Sequence, residues 1–128
     1  MDWTVELPGA DGYAVVTTSG VFDVSDHVRM TRDIVSRPGW RPGMDVLFDH
    51  RALDFSTADL RAMYQAGDNH LRNDERIGDG RAAVLVRSLD DYGRGQQFAL
   101  LTEGRVSATV RVFLDEAEAR DWLAAPRE

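Results

Sequence analysis

Between Met44 and Leu60 the chain passes from an apolar run into Asp49-His50-Arg51, through a short loop, to Ser56-Thr57-Ala58-Asp59-Leu60, where capping residues precede a new apolar period. The run itself, Val46-Leu47-Phe48, shows no polar alternation, and a second such run follows at Ala82-Ala83-Val84-Leu85-Val86. Strands without alternation belong to parallel sheets buried on both faces, and parallel neighbours need helical crossovers between them. Two such runs separated by a helix-period stretch restrict the chain to an α/β architecture.

The rest of the chain follows the same grammar. Trp3–Leu7 alternates weakly, Pro8-Gly9-Ala10-Asp11-Gly12 is a dense turn signal, and Tyr13–Thr18 is rich in β-branched residues; together they predict an opening hairpin. Gly20 ends that strand, Asp23 or Ser25 caps a helix, and Val24, His27, Val28, Thr31, Ile34 and Val35 share one side of it. Trp40, held between Pro38-Gly39 and Pro42-Gly43, is placed as a lid on one end of the core. Asp45–Asp49 reads as the third strand. The next helix opens at Ser56, with Asp59 completing a capping box, and presents Leu60, Met63, Tyr64, Gly67 and Leu71. Asp90–Glu103 holds a short helix carrying Phe98 and Leu101 and closed by Gly104. Val106–Phe113 alternates like an edge strand, and Asp115 with Glu118 caps a last helix whose stripe is Ala119, Trp122 and Leu123. The expected order is ββαβαβαβα in a single domain over residues 1–128: an α/β fold with a mixed, mostly parallel sheet and helices packed mainly on one face. Disorder is expected only at the first residue or two and after Ala125.

Charge and missing residue types narrow the chemistry. A net charge of −7 repels phosphate backbones, and the cationic residues are scattered instead of forming a stripe, so neither nucleic acid nor an anionic membrane is an expected partner. All 15 cations are Arg, which excludes a P-loop lysine, a Schiff-base lysine and a Ser-Lys dyad. The absence of Cys removes disulfides, thiolate nucleophiles and thiolate zinc sites. His27 and His70 lie in separate expected helices with no histidine three or four residues away, so neither a metal nor a cofactor is expected. Apolar runs fall far short of the ~20 residues of a spanning helix. A cytoplasmic, non-enzymatic protein with no integral membrane segment is the expectation.

Ligands of parallel sheets meet the loops at the carboxyl ends of the strands, near helix N-termini. Two loops qualify, one from Asp49 to Thr57 and one from Arg87 to Gly95, and they share a rim if their strands are neighbours. The candidate binding residues are His50, Arg51, Asp54, Ser56 and Thr57 on the first, with Ser88, Tyr92 and Arg94 on the second. Free backbone N–H groups at the helix start, with Arg51 and Arg94, favour a small anionic or amphipathic ligand, or a protein partner. Ion pairing of Arg51 with Asp49 or Asp54, and capping by Ser56 and Thr57, account for the same residue types without a ligand. His50 suits a general base only if Ser88 or Ser56 faces it, and no G-x-S-x-G elbow is present. His70, among polar neighbours, reads as part of a solvated helix face. Gly93-Arg94-Gly95 and Gly78-Asp79-Gly80 read as turns, and Asp90-Asp91 and Asp115-Glu116 as helix-start acids. The late edge strand leaves a row of backbone groups through which a homodimer could form.

Several segments together resemble a known family: Pro38-Gly39-Trp40, the stretch from Val46 to Asp54, the apolar run ending at Val86, and the stretch from Val112 to Leu123. The chain resembles the SpoIIAA-like branch of the STAS fold, grouped with SEC14-like lipid-binding domains, over almost its whole length. The resemblance implies a STAS-like single domain. In the anti-sigma-factor antagonists that share this fold, an Asp-Ser-Ser-Gly-Leu loop carries a phosphorylated second Ser. Laid over Ser56-Thr57-Ala58-Asp59-Leu60, that Ser falls on Ala58 and the Gly on Asp59. Thr57 keeps a hydroxyl at the helix start, beside an Asp59 that disfavours a second negative charge. An antagonist-type interaction switch and an esterase-like hydrolase using His50 therefore stand as alternatives to the binding module.

Overall fold

The computed structural model describes residues 1–8 and 12–127, so most of the predicted Pro8–Gly12 turn lies outside the described residues. Five strands form one sheet: β1 (Asp2–Glu6), β2 (Ala14–Val21), β3 (Val46–Asp54), β4 (Arg81–Leu85) and β5 (Thr109–Phe113). They lie side by side in sequence order, with β1 antiparallel to β2 and every later pair parallel. The helices are α1 (Val24–Ser36), α2 (Leu60–Arg72), the single turn α3 (Asp74–Ile77), α4 (Leu89–Thr102) and α5 (Glu116–Ala124). The order ββαβααβαβα adds α3 to the sequence-derived one; a four-residue helix has no apolar period to reveal it.

Because successive parallel strands are added on the same side and such crossovers are right-handed, α1, α2 and α4 share one face of the sheet. Side-chain alternation sorts the core accordingly. Ala14, Val16 and Val46 meet Met30 and Ile34 of α1, and farther along the same face Phe22, Leu53 and Phe55 meet Met63 and Ala66 of α2. Leu47, Ala83, Leu85 and Phe113 point the other way, onto Ala119 and Leu123 of α5, which lies behind the sheet. Asp23, Asp59, Ser88 and Asp115 cap the four longer helices by accepting from the backbone N–H three residues on, each worth about 1 kcal/mol.

Five expectations need correction. The third strand continues past Asp49 to Asp54, because His50 and Arg51 together oppose the single residue Thr18 between the pairs Thr17–Asp49 and Ser19–Ala52. This bulge returns Leu53 to the helix-covered face after Leu47, Asp49 and Arg51 have faced away. The second helix starts at Leu60 with Asp59 as its cap, leaving Ser56-Thr57 in a turn. Its buried stripe is Met63, Ala66, Gly67 and His70, and Leu60, Tyr64 and Leu71 remain 52%, 50% and 39% exposed. Gly93-Arg94-Gly95 is not a turn but part of α4: a Cβ on Gly95 would lie 2.8 Å from Cγ1 of Val112, so its glycine lets α4 press on β5. Met1 and the stretch up to Pro126 are also tied down. The Met1 amino group bonds Asp26, and Arg81 donates to the carbonyls of Trp122, Ala125 and Pro126.

Candidate functional site

β3 and β4 are neighbours, so the two predicted loops do share a rim, at the carboxyl ends of these strands. The bulge then sends consecutive rim residues to opposite faces. Arg51 turns to the α5 side, where it donates to both carboxylate oxygens of Asp49, at 3.0 and 2.9 Å, and to Glu116 at 2.8 Å. Those bonds hold its guanidinium further toward the charged form, chiefly through Asp49, and Arg51 in turn lowers Asp49 below the usual carboxylate range. A guanidinium shared by two carboxylates offers little to an incoming anion.

The other first-loop residues serve the backbone. Asp54 accepts the Ser56 N–H at 2.8 Å, and Ser56 and Thr57 lie exposed in the turn that follows. Ala58, where the antagonists carry the phosphorylated Ser, is buried. On the second loop, Ser88 caps α4, and the Tyr92 hydroxyl accepts from Gln96 at 3.3 Å. Arg94 reaches across to the Ala58 carbonyl at 3.2 Å and pairs with Asp91 at 3.3 Å. Of the eight candidates, His50 and Arg94 point into a common interior space. The remaining six do not line it.

That space is a cavity of about 130 Å³ between the sheet and the layer of α1, α2 and α4. It reaches from Trp40, Met44 and Ile77, near the amino ends of β3 and β4, to Phe22, Phe55 and Arg94 at the rim. Its floor is Val46, Phe48, Ala82, Val84 and Val110, and its roof includes Met30, Met63 and Phe98. Trp40 closes one end, as its position between two Pro-Gly pairs predicts, and donates its indole N–H to the Arg76 carbonyl at 2.8 Å.

All three histidines of the chain line this cavity. His70 corrects the sequence reading: it is 9% exposed, tilts against Phe98 at 6.1 Å, and faces inward with the α2 stripe. Burial pushes His27 down to about 4, with His70 adding repulsion, and pushes His50 down to about 3, with His27 adding to the effect and Asp49 opposing it. His70 is lowered by burial and partly restored by Asp74. All three rings are therefore neutral near pH 7. His50 Nδ1 lies 2.6 Å from Oγ1 of Thr18, a residue only 1% exposed. Asn69 donates to Thr31 at 2.9 Å, tying α2 to α1, and accepts from Asn73 at 3.2 Å. Among the described residues these side chains do not form a cluster able to hold a metal ion.

Sequence reasoning missed His27, His70, Asn69 and Thr31 as a set. The signal that could have found two of them was the polar substitution within an apolar helical period: Met63, Ala66 and His70 on α2, and Met30 and Ile34 with His27 on α1.

Four parallel strands in sequence order, one antiparallel edge strand, three helices on one face and a terminal helix on the other define a STAS-like α/β domain. The structure is similar to that of an uncharacterised DUF3478-family protein with a SpoIIAA-like fold from Shewanella loihica PV-4, at a TM-score of 0.59 and 17% identity, covering 95% of this chain and 92% of the other. This likeness shows that the chain has the SpoIIAA-like fold. No family model and no curated protein matches it. Among the described residues, no helix is long and apolar enough to cross a membrane.

Proposed function

We propose that this protein is a non-enzymatic cytoplasmic binding module that holds a small ligand between its sheet and its three crossover helices. The observation that carries this reading is the apolar cavity between sheet and helices with polar groups converging on it. A void of this size leaves its lining without contact partners and costs stability unless something fills it. The binding residues are then His50 and Arg94, joined by His27 and His70, and Arg51, Ser56 and Thr57 are structural parts of the rim.

A hydrolase reading finds less support in the geometry. Ser88 is spent as a cap, Ser56 sits in an exposed turn, and His50 bonds the buried Thr18. The test is native mass spectrometry of freshly purified protein against the same sample denatured. Extra mass lost on denaturation supports the binding module. A bare chain that also takes up no small apolar compound on titration counts against it.

A further inference from the structure

The outer face of α4 carries features that contacts within the protomer do not account for. Leu89 and Leu100 are 77% and 70% exposed, more than any other large hydrophobic side chain among the described residues. With Gly93 and Gln96 they recur at steps of four, three and four along the helix, which puts all four on one side of it. Glycine is a poor helix former, and Gly93 stands in mid-helix where an added Cβ would meet nothing within 4 Å. Its smallness serves no contact inside the chain, unlike that of Gly95, which makes room for Val112.

Charge marks the same helix. Arg87 precedes the cap Ser88 and Glu103 follows Thr102, so a cation stands at the amino end and an anion at the carboxyl end, each set against the helix dipole. Both are exposed, and neither forms an ion pair among the described residues. Arg87 acts on Asp54 only through space. Along α4 itself the exposed charge is Asp90, whereas the exposed Leu60, Tyr64 and Leu71 of α2 are interleaved with Arg61, Asp68 and Arg72.

The pattern on α4 is complementary to itself. Leu89 and Leu100 stand at matching distances from the helix midpoint, as do Gly93 and Gln96, with Arg87 and Glu103 beyond the two ends. We infer that a second copy of this chain docks on this face, its α4 antiparallel to the first about a two-fold axis. Each Leu89 then meets Leu100 of the other copy, Gly93 lets the helix backbones approach, and Arg87 of each copy meets Glu103 of the other. Leu100 also borders a groove between α4 and β5, with Gln96, Ala99, Ala108 and Val110, and this groove receives the incoming Leu89. The neighbouring β5 is an outer strand, but it is five residues long and carries the exposed Arg111, features that blunt an edge against pairing. The homodimer expected at β5 thus moves to α4 beside it.

Sedimentation equilibrium of the full chain between about 5 and about 500 µM tests this. The wild type is expected to dimerise within that range, as suits a small interface. Leu100→Glu is expected to weaken association about tenfold or more, because each dimer would bury two carboxylates. Arg87→Glu and Glu103→Arg alone are each expected to weaken it about tenfold by setting like charges together, and the double reversal to restore it to within about threefold of wild type. Both reversals suit the dipole of α4, and Leu100 is exposed, so loss of association would not come from unfolding. A wild type still monomeric at about 500 µM would overturn the inference and leave the face to a different protein. A dimer that survives Leu100→Glu, or single reversals that have no effect or that the double reversal does not repair, would overturn it as well.

Discussion

Lowering the pH from 7.5 to 5 is expected to destabilise this protein through its interior imidazoles. The folded state holds His27 at about 4 and His50 at about 3, whereas in the unfolded chain both titrate near ~6.5. The sign follows from proton counting: below ~6.5 the unfolded state binds protons that the folded state refuses, so stability is lost as the pH falls through that value and levels off near the folded values. By pH 5 each ring has forfeited about 2 kcal/mol, or about 4 kcal/mol together. Both rings keep some exposure, so we expect a measured loss of about 2–4 kcal/mol, on the order of 10 °C in Tm. Carboxylates held below their usual range, among them Asp26, Asp33, Asp49 and Asp74, lose their contribution mainly below about pH 5. The window therefore isolates the histidines. The assay is urea denaturation at half-unit pH steps for the wild type and His27→Leu, the latter expected to show about half the slope. A wild-type stability constant within about 0.5 kcal/mol over this range would refute the argument.

Other expected outcomes come from packing. Gly95→Val places a branched side chain against Val112, whose Cγ1 already lies 2.8 Å from a Cβ at that position; chemical denaturation is expected to show a loss of about 1–3 kcal/mol or more. Ala82→Leu grows into the cavity from β4 and is expected to stabilise the protein by up to about 2 kcal/mol, with loss of toluene uptake measured by calorimetry. Arg51→Ala breaks half-exposed pairs to Asp49 and Glu116 and is expected to cost less than about 1 kcal/mol, with cavity binding unchanged in the same titration.

The strands and crossovers were legible because their signals are local. Val46-Leu47-Phe48 and Ala82–Val86 are apolar without alternation, and the edge position of β5 follows from its alternating pattern. The bulge was not legible: an extra residue opposite Thr18 is a property of the pairing with β2, which Asp49-His50-Arg51 alone does not encode. Extending the strand by the bulge is also what separated the rim residues. Arg51 and His50 are neighbours in sequence yet serve opposite faces of the sheet. The α2 stripe was displaced for a related reason. Leu60, Tyr64, Gly67 and Leu71 share a helix side as closely as Met63, Ala66, Gly67 and His70 do, and periodicity alone ranked the leucines above a histidine. The structure buries the second set and leaves Leu60, Tyr64 and Leu71 at least 39% exposed. Thus the fold was readable from runs and periods, and the site depended on tertiary contacts between residues far apart in the chain.

The central claim is that a small molecule binds inside the layer between the sheet and α1, α2 and α4. Mapping it most directly requires 13C methyl spectra of the protein titrated with toluene. Shifts are predicted for Met30, Met63, Val84 and Val110, which line the cavity, and none for the exposed Leu89 and Leu100 of α4. Saturable shifts confined to Leu89, Leu100 or the turn at Ser56-Thr57, with the interior methyls unmoved, would contradict it.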